Sequence, residues 1–153
     1  MKANTLKRML NIYGPYLGAS VRVEEISNDF RYARVAMKLR WFNKNAVHTH
    51  FGGSLYSMVD PHYMLMLMKI LGKDYIVWDK SASIDFIKPG KGKVTAEFTI
   101  TDDMLNDIYQ HTKDGDKYLP TIQVEVKDEN QQVVCKVDKT LYIRKAQNQA
   151  RRI

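Results

Sequence analysis

A chain of 153 residues, 44% apolar and 27% charged, fits one globular domain over 1–153 that can bury a core without covalent staples. Its single cysteine, Cys135, excludes an internal disulfide and a cysteine-based zinc site, and points to a reducing, cytoplasmic setting. A net charge of +7 points to an anionic partner without naming it, since nucleic acid, acidic lipid and a phosphorylated ligand all fit the sign.

The first expected element is a short helix over 5–13, capped by Asn4 or Thr5, with Leu6, Met9, Leu10 and Tyr13 at helical spacing and Gly14-Pro15 to end it. This start lacks the apolar core of a signal peptide. The period then becomes two: Val21 and Val23, then Ala33, Val35, Met37 and Leu39, alternate with charged residues and mark two half-buried strands. A loop leads into a central helix over about 53–71, apolar on every side and therefore buried. Its densest run, Tyr63 to Leu71, is too short to span a bilayer and contains Lys69, so no membrane insertion is expected.

Alternation returns at Ala82, Ile84 and Phe86, at Val94, Ala96, Phe98 and Ile100, at Ile122, Val124 and Val126, and at Val133, Cys135, Val137, Leu141 and Ile143. A short helix capped by Asp102 interrupts these strands, and Asp128-Glu129-Asn130 turns the last hairpin. The basic tail, 145–153, reads as a solvated end. The order predicts an α+β domain, a mostly antiparallel sheet wrapped around one long central helix, with sheet surfaces left for a second subunit.

The stretch HTHFGGSLYSMVDPHY (48–63) carries the chemistry. Asp60 before Pro61 has two readings, a cap that starts a helix or its second half after a kink, and a functional acid. For the second, Gly52 and Gly53 at the helix head allow close backbone approach and aim N–H groups along the positive end of the dipole, where an oxyanion binds. Ser54, Ser57 and Asp60 recur every three residues along one face. Apolar surroundings would raise the pKa of Asp60 and make it a better base toward water, a combination that fits acyl-transfer hydrolysis. No G-x-S-x-G elbow is present, and Ser54 has no evident base.

Other signals have plainer alternatives. His48 and His50 could join Asp60 at a metal, or be ordinary hydrogen-bonded histidines, and no metal is expected. His62 lies about 200° around the helix from Asp60 and reads as a core or interface residue. Met58, Met64, Met66 and Met68 read as core packing that can also adapt to a linear chain. Lys88, Lys91 and Lys93 of KPGKGK form either a solvated turn or a phosphate clamp. With Phe86 as the only aromatic nearby, the loop does not look like a nucleic-acid surface.

The segment NAVHTHFGGSLYSMVD (45–60) resembles the signature of hotdog-fold thioesterases of the phenylacetate-pathway type, and SIDFIKPGKGKV (83–94) resembles the strand and loop that follow it. The likeness spans about 20–145, and the nearest branch is a DUF4442-like one described as tetrameric acyl-CoA thioesterases. The resemblance implies a hotdog fold, a homo-oligomer (dimer or tetramer), and hydrolysis of acyl-CoA to free acid and CoA, with coenzyme A as part of the substrate and no further cofactor. It implies that Asp60 acts as base or nucleophile, that the Gly52 and Gly53 N–H groups bind the thioester oxygen, and that Asn45 orients water or the carbonyl. Counted without a gap, the family histidine falls on Phe51, which leaves His50, one residue earlier, as a secondary candidate. Ser57 lies between the glycines and the acid, and Ser81 lies in the region matching the strand that faces the acid across the subunit interface. Lys88, Lys91 and Lys93 would hold the 3′-phosphate and pyrophosphate of coenzyme A. The rival reading is a non-catalytic acyl-CoA-binding hotdog protein, and a hotdog dehydratase fits less well because His50 is out of register.

Overall fold

The computed structural model describes residues 1–146, so most of the expected basic tail over 145–153 lies outside the described residues. Helices α1 (Ala3–Asn11) and α2 (Gly14–Ala19) precede strands β1 (Val21–Ile26) and β2 (Tyr32–Lys38). Two helical segments follow, α3 (Gly52–Ser57) and α4 (His62–Leu71), and then β3 (Tyr75–Phe86), β4 (Lys93–Thr99), α5 (Asp102–Thr112), β5 (Thr121–Lys127) and β6 (Val133–Lys145). The strands form one antiparallel sheet in the order β1-β2-β4-β5-β6-β3, so β1 and β3 are its edges.

The α+β architecture follows from the two hydrophobic periods. Inward residues of the sheet, among them Val23, Val35, Met37, Phe98, Val126, Val137 and Leu141, meet Met58, Met66 and Leu67 of the helical segment in one fully buried cluster. Each such side chain contributes roughly 1.5–3 kcal/mol by leaving water. Met58 and Met66 are therefore core residues, whereas Met68 is exposed.

Several local expectations need correction. Helix α1 begins at Ala3, with Lys2 as an N-cap that makes no side-chain bond, rather than at a cap formed by Asn4 or Thr5. Gly14-Pro15 ends that helix and also opens α2, because proline in a first turn loses no hydrogen bond. The central helix is interrupted between α3 and α4 at residues 58–61, where Pro61 supplies no N–H and becomes the N-cap of α4. Asp60 sits at this break and does not cap α4. Strand β3 starts seven residues before its Ala82-Ile84-Phe86 alternation, because a bulge between Asp79 and Ser81 shifts the phase of the side chains. Gly72 ends α4 with φ +69° and ψ −158°, a conformation that suits glycine.

The cap of α5 is Thr101, whose Oγ1 accepts the Met104 N–H at 3.2 Å, one residue before the expected Asp102. Thr101→Ala should cost about 1 kcal/mol, read as a fall in Tm of about 2–4 °C for a chain of this size. Asp128 organises the last hairpin as expected, accepting the N–H groups of Asn130 and Gln132. Among the described residues no helix is long and apolar enough to cross a membrane.

Candidate active site

The inward row of β6 is Cys135, Val137, Lys139, Leu141 and Ile143, every member buried. A lysine side chain only 1% exposed in such a row needs anionic partners. Two carboxylates supply them. Asp60, at the break between α3 and α4, places Oδ1 2.8 Å from Lys139 Nζ, and Asp79, just before the β3 bulge, places Oδ1 at 3.1 Å. The Asp79 contact has ion-pair distance without hydrogen-bond geometry. Tyr56, one turn before Asp60, donates its hydroxyl to Asp60 Oδ1 at 2.7 Å and accepts from Lys139 Nζ at 3.3 Å.

Burial raises the Asp60 pKa, but the Lys139 and Tyr56 hydrogen bonds outweigh it and hold the carboxyl below the ordinary carboxylate range. That reverses the raised pKa expected from the apolar neighbourhood, because the lysine that decides the sign arrives from a strand 79 residues away. At Asp79 burial prevails, and its carboxyl is pushed above the ordinary range despite Lys139. Burial alone would lower the pKa of Lys139; its two carboxylates and Tyr56 hold the ammonium above the usual value instead. The Asp60 side chain is 44% exposed, and its second oxygen has no partner among the described residues. The site thus holds an ionised carboxylate with one oxygen available.

The glycines lie at the other end of α3. The Phe51 carbonyl accepts the N–H groups of Ser54 and Leu55, while those of Gly52 and Gly53 find no acceptor among the described residues. Gly52 lines a groove of about 430 Å³ together with Asn45, His50, Phe86 and Lys88. Phe86 lies over Gly52, where an added Cβ would come within 2.8 Å of its ring, and Phe51 lies closer still over Gly53, at 2.5 Å. His50 lines the same groove with its Nε2 committed to the Gly92 carbonyl, to which it donates at 2.9 Å, and burial pulls its pKa down. Asn45 is engaged at both ends within its own loop, donating to Thr49 Oγ1 and the His50 carbonyl and accepting from Val47 and Thr49 N–H groups. Its observed task is to hold the loop that leads into Gly52.

Residues 2–143 match the family model described as a domain of unknown function, DUF4442. The chain belongs to the DUF4442 family. No curated protein matches it in sequence. Among solved structures, a Pseudomonas aeruginosa protein described as a probable thioesterase superposes with a TM-score of 0.82 at 15% identity, over 95% of this chain and 97% of that one. A Haemophilus influenzae thioesterase gives 0.69 at 12% identity over 98% and 95%, and the E. coli PaaI protein of the phenylacetic acid degradation operon gives 0.60 at 13% over 94% and 92%. The six-stranded antiparallel sheet around the helical segment is the hotdog fold.

In this DUF4442 protein the remaining candidates are dispersed. Ser57 donates to the Gly53 carbonyl at 2.8 Å, and Ser81 is exposed beyond the bulge opposite Thr140. Lys88 pairs with Asp128 at 2.5 Å and Lys93 with Glu24 at 2.6 Å, so only Lys91 of the three loop lysines has no partner among the described residues. His62 is a core histidine, bonded to the Tyr16 hydroxyl at 2.8 Å. Among the described residues no three His, Cys, Asp or Glu side chains stand close enough to share a metal. Sequence reasoning missed Tyr56, Asp79 and Lys139. Lys139 had a signal, a charge at an inward position of an apolar alternation; Tyr56 and Asp79 had none of comparable strength.

Proposed function

We propose that this DUF4442 protein hydrolyses acyl-CoA thioesters at a site assembled from two subunits. The observation that carries this reading is Asp60 itself: a carboxylate held ionised at a helix break, not used as a cap, and with one oxygen available. The hotdog fold shared with proteins described as thioesterases supports it. The Gly52 and Gly53 N–H groups polarise the thioester carbonyl, and Asp60 either takes a proton from the water that adds to the carbonyl carbon or adds itself to give an acyl anhydride that water then opens; in both routes the C–S bond breaks, CoA leaves as the protonated thiol and the free acid is released. Asn45 fixes the loop that presents the glycines, and Lys91 is free to meet a phosphate of coenzyme A.

The glycines and Asp60 are separated by about two helical turns, roughly 12 Å within one chain. A base must reach its proton directly or through one water. Asp60 therefore acts on a carbonyl held by the glycines of a second copy. Edge strand β3 offers the surface for that copy, with Ala82 and Phe86 exposed along it and Ile87 exposed just past its end.

The test is thiol release from short, long and aromatic acyl-CoAs, with turnover expected on at least one. Mixing inactive Asp60→Asn subunits with inactive Gly52→Val subunits should restore roughly a quarter of wild-type turnover, because half the dimers are mixed and each carries one intact site. No turnover on any substrate, with acyl-CoA still raising Tm, would replace hydrolysis by acyl-CoA binding alone, a reading favoured by His50, whose Nε2 is committed to the Gly92 carbonyl.

A further inference from the structure

Lys139 is a buried lysine in an otherwise apolar row, and packing does not explain it. Its neighbours in the row, Val137 and Leu141, are fully buried aliphatic residues, and the residue paired with it on β5 is Ile122. An aliphatic side chain would fill the same place, and a buried ion pair adds little net stability over one. The lysine instead reaches across the inner face of the sheet to the helix break. We propose that Lys139 is the positioning residue of the Asp60 site, fixing the Asp60 carboxylate in its ionised form while Asp79 anchors the ammonium from the other side. This rests on reading Asp60 as the reacting acid.

The groups facing the ammonium can be named element by element. The helical segment brings Asp60 and Tyr56, β3 brings Asp79, and β5 brings the apolar Ile122. His62, two residues beyond Asp60, is fully buried and bonded to Tyr16. Two carboxylates around one ammonium leave an excess of negative charge, and the arrangement is asymmetric. Asp60 receives a hydrogen bond from Lys139 and another from Tyr56, whereas Asp79 has the ion-pair contact alone. Asp60 thereby stays charged to lower pH than Asp79, whose carboxyl burial pushes up, so Asp79 is the first of the two to protonate as the pH falls. Without Lys139 the two acids lack their common cation and Asp60 competes for that proton.

The test is carboxylate NMR titration of aspartate-labelled wild type, Lys139→Met and Lys139→Arg, with Asp60→Asn assigning the Asp60 signal. The midpoint of Asp60 should rise by about one pH unit or more in Lys139→Met and return toward wild type in Lys139→Arg. An unchanged midpoint in folded Lys139→Met overturns the proposal. Should that variant not fold, Asp79→Asn decides: it keeps Lys139 and removes an acid that is already neutral when Asp60 titrates, so the Asp60 midpoint should stay at or below its wild-type value, and a higher midpoint overturns the proposal. Where the wild type turns over acyl-CoA, the acid limb of kcat/KM should follow the NMR midpoint in Lys139→Met, and a limb that stays in place overturns the positioning role. Absence of turnover in the wild type removes the thioesterase reading alone, since the titration needs no substrate.

Discussion

Asp60→Asn is expected to lower thiol release from acyl-CoA by about 10²–10⁴-fold, the range usual for loss of a positioned acid-base group. Asparagine has the same shape and keeps an oxygen that can accept from Tyr56 and Lys139, so the fold is retained and Lys139 still has Asp79. The loss should therefore appear in kcat, with acyl-CoA binding and Tm close to wild type. The pH profile adds a second readout. Because Lys139 and Tyr56 hold Asp60 below the ordinary carboxylate range, wild-type kcat/KM should stay level from neutral pH down to about pH 5, where an acid with a raised pKa would already lose activity. Wild-type turnover in folded Asp60→Asn would remove Asp60 from the chemistry.

Mild acid is expected to destabilise the protein through His62. Its ring is enclosed, bonded to the Tyr16 hydroxyl and packed 4.7 Å from the Phe98 ring centre, and burial depresses its pKa from 6.5 to about 3. Between those values the unfolded chain binds a proton that the native protein refuses. The neutral histidine therefore carries no penalty above pH 6.5, and stability falls by about 1.4 kcal/mol per pH unit as the pH drops toward 3. At pH 4 that amounts to roughly 3 kcal/mol relative to pH 7. Urea unfolding of wild type and His62→Gln at pH 7, 5.5 and 4 isolates the contribution, because glutamine keeps a hydrogen-bonding group and does not titrate. The gap between the two proteins should narrow or reverse with acid, and parallel pH dependences would show that His62 is not the linked group.

Much of the fold was legible in the chain because it rests on period. Alternation at 21–23, 33–39, 82–86, 94–100, 122–126 and 133–143 marked six strands, and an all-round apolar run marked the helix they enclose. Where the reading slipped, a local event changed the phase. The β3 bulge reverses which side chains face inward, so Tyr75, Val77 and Asp79 fall out of register with Ala82 and Ile84, and the first half of the strand was not seen. Pro61 splits the central helix, and the broken turn is what leaves Asp60 clear of any capping duty.

The candidate site divides along the same line. Local composition was enough to single out Gly52, Gly53 and Asp60, since glycines at a helix head and an acid inside an apolar segment are sequence features. The charge state of that acid was not, because it depends on residues that meet only in the folded chain. Lys139 comes from β6 and Asp79 from β3, and the sheet order, which makes these two strands neighbours, carries both to the break between α3 and α4. Burial by itself would have raised the pKa of Asp60, and a hydrogen-bonded ammonium at 2.8 Å lowers it. The sequence by itself determined most of the buried strand and helix side chains and the glycine backbone groups at the helix head, through hydrophobic period and helix chemistry. Only the tertiary structure decided the sign of the electrostatics, because Coulomb energy follows distance in space and not separation along the chain.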